Sequence, residues 1–185
     1  MNRFSQKIQS MPWLNRFLSD VRGVSAVEFA LIVPILVALY LGAAELSQAL
    51  TAQRKLTQVA TMVGDLVTQD DNISDAEMDD IIDAAGSVLS PFGEADLTLR
   101  VTSIRLDDPD DGHYVHWSEG SYIDAHPLDA ELDIPEGLLT VGSSIILVEA
   151  TYDHTSLFNS VIDGSVEIAD TAYLRPRRSA WVTRD

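Results

Sequence analysis

An uncharged apolar stretch near the N-terminus constrains this chain more than any other feature. Residues Phe29 to Ala44 read FALIVPILVALYLGAA, and carboxylates stand on either side at Glu28 and Glu45. A helix needs about 20 residues to cross a hydrocarbon core of roughly 30 Å. The helix-compatible segment from Val24 to Leu50 is longer than that, so we expect a membrane-spanning helix with a carboxylate near each edge.

The charge of the chain changes sign where this stretch begins. Residues 1–23 hold four basic residues and one acidic residue, whereas the remainder holds 8 basic and 28 acidic residues. Cytoplasmic flanks are enriched in Lys and Arg. We therefore expect three parts: a cytoplasmic basic leader (1–23), a transmembrane helix (24–46) and an acidic domain (47–185) on the far side of the membrane.

Composition also argues against a nucleic-acid partner and excludes every site that needs cysteine. The net charge of −17 leaves no broad basic surface, so we expect no nucleic-acid partner, because phosphate binding needs one. The chain has no cysteine, which excludes disulfides, thiolate metal sites and a cysteine nucleophile.

Three interpretations of the apolar stretch remain open on these grounds. It is typical of a cleaved secretory signal, for which LGAAELSQA supplies a small-residue site near Ala44. It also fits a plain signal anchor. A third interpretation uses the residues that the first two leave unexplained, namely Gly23, Glu28 and Phe29.

The segment RGVSAVEFALIVPILVALYLGAAELSQAL, Arg22 to Leu50, resembles the N-terminus of TadE-like proteins, which are minor pseudopilins of bacterial Tad (Flp) pilus systems. The shared pattern is a basic leader, a Gly, four small or apolar residues, and a Glu followed by an aromatic residue. A Val-Pro pair inside the apolar run and a Glu near its end complete it. The later segments 134–158 and 171–178 are also similar to the back half of such chains.

The resemblance implies that a prepilin peptidase cleaves between Gly23 and Val24, which makes Glu28 the fifth mature residue. In pilin-like assemblies that carboxylate pairs with a new α-amine, its own or a neighbour's. A buried ion pair that loses one partner costs roughly 3–5 kcal/mol, so an unpaired Glu28 favours entry into an assembly. The alternative is an interfacial carboxylate in headgroup water. Phe29 and Pro34 complete the implied assembly residues, and the Pro34 kink is either functional or a tolerated membrane proline.

The function implied is that of a minor pseudopilin with a structural role in pilus assembly. The implied location is the bacterial inner membrane, crossed once, with the acidic domain in the periplasm. The implied partners are membrane lipid, a prepilin peptidase and other pilin-type subunits. The alternative is an uncleaved membrane-anchored periplasmic binding or adaptor protein with the same topology.

The pattern after Glu45 predicts an α+β fold. A helical stripe of apolar residues continues to about Thr68, so one long pilin-like N-terminal helix is expected, its second half packed on a small antiparallel sheet. A second helix is predicted at Asp75–Leu89, where Ser74 and Glu77 have capping-box spacing.

Four segments alternate in the manner of strands. Ala95–Leu106 is predicted to direct Leu97, Leu99, Val101 and Ile104 to one side, and Ser143–Asp153 to be central. A short strand is expected to end at Trp117, followed by a loop over 118–142. The fourth strand, Ser165–Pro176, offers Val166, Ile168, Ala169 and Leu174 as core residues.

We find no motif of an enzyme and expect no catalytic residue, cofactor or bound metal. The acidic turn Asp107–Gly112 lacks EF-hand spacing, although some calcium affinity stays open. His113 and His116 are predicted to point to opposite faces of a strand. The basic cluster Arg175–Arg178 is expected to pair with the domain's own carboxylates or with an acidic partner, and Trp181 and Val182 to pack nearby.

Overall fold

The computed structural model describes residues 22–93, 96–110, 112–155 and 165–185. Residues 1–21 of the predicted leader (1–23) lie outside the described residues. Two compact units are present, and the division between them falls after Leu46.

The elements form an α+β arrangement, which confirms the predicted fold class. The helices are α1 (Arg22–Val67) and α2 (Asp75–Leu89). The strands are β1 (Asn72–Ile73), β2 (Leu97–Leu106), β3 (Tyr114–Ser121), β4 (Ser143–Thr155), β5 (Ser165–Leu174) and β6 (Thr183–Arg184). An antiparallel sheet has the order β3-β2-β4-β5, and β1 pairs with β6 in a separate parallel pair.

The main core of the second unit lies between the sheet and the two helices. The second half of α1 buries one face, formed by residues three or four apart: Ala52, Leu56, Val59, Ala60, Val63 and Val67. β2 and β4 supply the facing side chains, at alternating positions: Leu97, Leu99, Val101, Ile146, Val148, Ala150 and Tyr152. This is the packing expected when a 3.6-residue stripe meets a period-2 strand.

The helix α2 begins where the sequence predicts. The Ser74 side chain accepts from the Glu77 amide, and the Glu77 carboxylate accepts from the Ser74 amide at 2.9 Å, so the capping box is complete. Hydrogen bonds from Ser74 hold the pKa of Glu77 below its usual value. Both caps satisfy amides that the first helical turn otherwise leaves without a partner.

Three details of the predicted strands are wrong. Ile104 lies on the opposite face from Leu97, because odd- and even-numbered residues of a strand point to opposite faces. It packs with Ile145 and Leu147 under the loop over 132–139. In β5, Val166 is 61% exposed and Ala169 is exposed as well, whereas Ile168 packs against the core.

The strand predicted to end at Trp117 continues to Ser121, so the loop that follows is shorter than expected. His113 precedes this strand instead of lying in it, and its Nε2 contacts the Leu132 carbonyl at 2.5 Å. Ser118 accepts the His126 amide and contacts Thr102 at 2.8 Å, which ties the continued strand to β2.

The segment that follows β5 contacts other parts of the second unit through its arginines. Arg177 pairs with Asp65, Arg178 with Asp70 at 3.4 Å, and Arg175 donates to the Leu138 carbonyl. Self-pairing of the basic cluster is therefore what the structure shows.

The two hydrophobic residues that follow pack on the second unit, Val182 in its core and Trp181 at its surface. Val182 is fully buried, and its carbonyl accepts the Trp117 indole N–H at 2.8 Å. Trp181 lies under the Arg105 guanidinium at 4.3 Å.

Candidate assembly site

The first unit consists, in its described part, of the N-terminal half of α1. Its apolar side chains point outward in every direction around the helix, and none of the following is less than 49% exposed: Val24, Val27, Phe29, Leu31, Ile32, Ile35, Leu36, Val37, Leu39 and Tyr40. A helix that is apolar all round is a buried or membrane-spanning helix. α1 is the one helix in the described part of the chain that is long and apolar enough to cross a membrane.

The two carboxylates bracket a span close to the thickness of a bilayer core. Glu28 and Glu45 are 17 residues apart in α1, so a rise of 1.5 Å per residue separates them by about 26 Å along the axis. A hydrocarbon core is roughly 30 Å thick. In an upright membrane-spanning helix, this separation would place each carboxylate near an edge of the core, where its cost is lower than at the centre.

Gly23 is a glycine that the described fold does not require. A Cβ built on it meets nothing within 4 Å, and its φ is not in the left-handed region. Within a helix, glycine costs about 0.5–1 kcal/mol relative to alanine. Neither packing nor backbone conformation explains this residue, so a requirement outside the folded chain is the remaining reason for a glycine here.

Val24 and Glu28 lie on the same face of α1, one turn apart, because they are four residues apart in a continuous helix. Glu28 is exposed, and no described residue donates a hydrogen bond to it or forms an ion pair with it. An α-amine at Val24 would stand at the positive end of the helix dipole, where a nearby carboxylate is stabilising. The geometry therefore permits the pairing that the sequence predicted, within one chain or between two.

Phe29 and Pro34 also lie in the exposed part of α1. Phe29 is 67% exposed. Pro34 lies inside the continuous helix and cannot donate to the Ala30 carbonyl, which is left without its usual partner. In lipid such a carbonyl needs a donor from elsewhere. The sequence-predicted residues thus share one helix half, in which all of them are exposed.

The acidic turn after β2 uses its carboxylates locally. Asp107 accepts from the Tyr114 hydroxyl at 2.6 Å and from Arg105 at 2.9 Å, and the Tyr114 hydrogen bond holds the pKa of Asp107 below its usual value. No group of three or more His, Asp or Glu side chains in the described residues is arranged to hold a metal ion.

Sequence reasoning missed the charged pairs that strand pairing brings together, such as Arg100 with Glu149, and one of the missed pairs joins like charges. In the β4–β5 register, Asp153 stands directly opposite Glu167, and both are exposed. The two residues lie in consecutive strands, and the register of those strands decides that they stand opposite each other. No local pattern signals such a pair.

A family model described as TadE-like protein matches residues 23–64. The match begins at Gly23, includes Val24, Glu28, Phe29 and Pro34, and confirms the resemblance for this part of the chain, whereas segments 134–158 and 171–178 lie outside it. It suggests a protein associated with Tad pili, and it implies involvement in pilus assembly alongside other pilus components. No curated protein and no solved structure matches the chain significantly.

Proposed function

Because a TadE-like segment occupies residues 23–64, we propose that this chain is a minor pseudopilin of a Tad (Flp) pilus system. It crosses the bacterial inner membrane once through the first half of α1. The leader lies in the cytoplasm, and the second unit (residues 47–185), called the acidic unit below, lies in the periplasm. It acts as a structural subunit and not as an enzyme, and its partners are lipid, a prepilin peptidase and other pilin-type subunits.

The observation that carries this proposal is that α1 holds two residues for which the described fold gives no reason. One is a glycine that neither packing nor backbone conformation requires, and the other is a carboxylate without a partner among the described residues. Gly23 is in open space, Glu28 has no partner among the described residues, and the apolar helix half around them is exposed. Peptidase recognition accounts for the glycine. A new α-amine at Val24 accounts for the carboxylate, and packing among subunits or lipid accounts for the exposed apolar surface.

Mapping the N-terminus of the membrane-bound protein tests the processing step. We expect the mature chain to begin at Val24, and Gly23→Val to leave it full length. Gly42→Val is the matched control, since Gly42 also has nothing within 4 Å of an added Cβ and should leave cleavage unchanged. A wild-type chain that starts at Met1 would indicate the uncleaved anchor. A soluble product that starts near Glu45 would indicate a secretory signal.

Single engineered cysteines test the orientation, because the chain has none of its own. Asp110→Cys lies at an exposed position of the acidic turn and should react with a membrane-impermeant thiol reagent in intact spheroplasts. Ser5→Cys should stay unlabelled and should be missing from the mature protein. Labelling at the Ser5 position alone would reverse the proposed orientation.

A further inference from the structure

The antiparallel sheet has two edges, and the chain treats them differently. Along β3, the Val115 amide donates to the Ala130 carbonyl and the Asp129 amide donates to the Val115 carbonyl, each at 3.0 Å. Both bonds tie the backbone of Val115, near the start of β3, to the loop that follows the strand. Along β5, no described residue outside the sheet forms a backbone hydrogen bond with the strand. Unpaired edges are templates for another strand.

The β5 edge lacks lysine, proline and a bulge, and its charged residues are the acidic Glu167 and Asp170. Its ten residues pair with β4 without a register shift, and they include no Pro, Lys or Arg. Proteins protect exposed edges with lysine, proline or bulges. By contrast, the register of β3 against β2 is interrupted at Ser103 and Ile104.

The backbone groups on the outer side of β5 can be assigned. The Thr171 amide donates to the Asp170 carboxylate at 2.9 Å, a local side-chain partner that marks this amide as facing away from β4. Alternate residues of an antiparallel strand share a direction. The amides of Ala169 and Glu167 therefore face the open side as well.

Charge indicates what kind of strand fits there. Asp153 and Glu167 are like charges placed directly opposite each other on the exposed face, an arrangement that is destabilising in a sheet. A cation from an added strand beside Glu167 would relieve it. A second copy is disfavoured, because residues 47–185 hold 26 acidic and only 8 basic residues.

We propose that β5 is a docking edge for an extended segment of a different polypeptide, which adds a fifth strand and places a Lys or Arg side chain next to Glu167. Backbone hydrogen bonds supply the affinity, and the cation supplies the specificity, as in other cases of strand addition. This docking edge does not depend on cleavage at Gly23, and it goes beyond the proposed role of the apolar helix half.

Site-specific photo-crosslinking on the full-length chain in cells tests it. A photoreactive residue replaces Thr171, which is exposed on β5, and a matched chain carries it at Asp79, which is exposed on α2. We expect a crosslinked product from position 171 and none of the same mass from position 79. Mass spectrometry of that product should identify a peptide of another protein with a Lys or Arg within two residues of the crosslink.

Two second-site changes in the Thr171 probe chain separate strand pairing from contact by chance. Ala169→Pro removes an outward amide while leaving the β4 ladder intact, and should lower the crosslink about tenfold, the effect of losing one hydrogen bond and its neighbour. Glu167→Lys should lower it about threefold, since it repels the cation. Asp79→Lys changes the net charge equally on α2 and should leave the yield unchanged.

Other results would overturn the docking edge. A crosslink to a second copy of this chain would make β5 a self-association edge. A crosslinked segment without basic residues would remove the charge argument. Absence of any product from position 171, or a yield that survives both Ala169→Pro and Glu167→Lys, would show that no strand docks there. If Ala169→Pro lowers the thermal midpoint of the protein, Glu167→Lys alone decides.

Discussion

The two halves of α1 use apolar residues in opposite ways. From Gly23 to Leu46 the apolar side chains surround the helix and are largely exposed, whereas from Ser47 to Val67 they form one stripe that is fully buried at Leu56, Val59 and Val63. The second half finds its apolar partners within its own chain. The first half finds none among the described residues, as expected for a helix long and apolar enough to cross a membrane.

One carboxylate from each unit, Glu149 and Glu28, shows the same contrast between partners within the chain and none among the described residues. Glu149 on β4 accepts from Arg100 at 2.8 and 2.9 Å and from His126 at 2.9 Å, so its charge is satisfied within the folded unit. Glu28 is an exposed carboxylate with no such donors among the described residues. A residue with its partners in the chain should matter for folding, and a residue without them should matter for assembly.

The largest expected effect comes from Glu28→Gln, which keeps the size of the side chain and removes its charge. If the value of Glu28 lies in pairing with an α-amine at Val24, piliation of a complemented deletion strain should be lost. Cleavage at Gly23 and the stability of the acidic unit should be unchanged. Imaging of surface pili measures the effect, and Glu28→Asp should restore pili at least in part. Normal piliation with Glu28→Gln would leave Glu28 as an ordinary interfacial carboxylate.

A pair of leucine truncations tests the contrast within α1 directly. Leu56→Ala removes a fully buried side chain and should lower the free energy of unfolding by about 2–5 kcal/mol, since burial is lost and a cavity is left. Leu39→Ala, at a position 67% exposed, should change it by less than about 0.5 kcal/mol. Denaturant unfolding in detergent, followed through tryptophan fluorescence, to which buried Trp117 contributes, measures both. Equal losses would contradict the division of α1 into two environments.

The Glu149 cluster should give the acidic unit a specific pH dependence. Burial raises the pKa of Glu149, but hydrogen bonds and charge from Arg100 and His126 outweigh it, so the pKa lies below the ordinary value of 4.5. A lowered folded pKa means that the stabilisation is present above the unfolded value and is lost as the pH falls through the folded one.

The variant Glu149→Gln should therefore reduce stability by about 1–2 kcal/mol near neutral pH, allowing for partial solvent screening. The deficit should shrink as the pH falls below 4.5. Unfolding curves of the two proteins at matched pH values measure this difference, and other carboxylates with lowered pKa values, such as Asp107, cancel in the comparison. A deficit that is constant with pH would show that the carboxylate charge is not what Arg100 and His126 stabilise.

Local patterns were sufficient for most of the fold. The capping box at Ser74 and Glu77, the buried stripe ending at Val67 and the central position of β4 were all predicted, because each depends on residues close together in sequence. The exposed apolar half of α1 and its motif were equally visible, since both lie in one unbroken segment.

Features set by long-range register were not predictable. Val166 fits a strand pattern, but whether it is buried depends on whether other elements cover the start of β5, and it is 61% exposed. The pairing of β1 with β6 joins residues 111 positions apart through two-residue strands too short to carry a periodic signal. The Asp153–Glu167 pair and the open edge of β5 likewise appear only once the order of the strands is known.

The smallest expected effect concerns two glycines in α1 and sharpens the comparison between its halves. A Cβ on Gly64 would overlap the Leu174 side chain and come within 3.3 Å of Val148, whereas Gly42 has open space around it. Gly64→Ala gains about 0.8–1.0 kcal/mol of helix propensity but incurs an overpacking cost of about 1–3 kcal/mol. Because the nearest atom is the end of the flexible Leu174 side chain, we expect the lower part of that cost, about 1–2 kcal/mol, and hence a net loss of up to about 1 kcal/mol.

Gly42→Ala makes the same chemical change without a neighbour to displace, so it should leave the unfolding of the acidic unit unchanged. Thermal and denaturant unfolding of the two variants in the same detergent provide the measurement. The double variant Gly64→Ala with Leu174→Ala tests whether the clash with Leu174 causes the loss. Once the Leu174 side chain is removed, the added methyl at position 64 should be neutral or stabilising compared with Leu174→Ala alone. If Gly64→Ala were as harmless as Gly42→Ala in the presence of Leu174, the close approach of α1 to β5 would not be a constraint on the sequence.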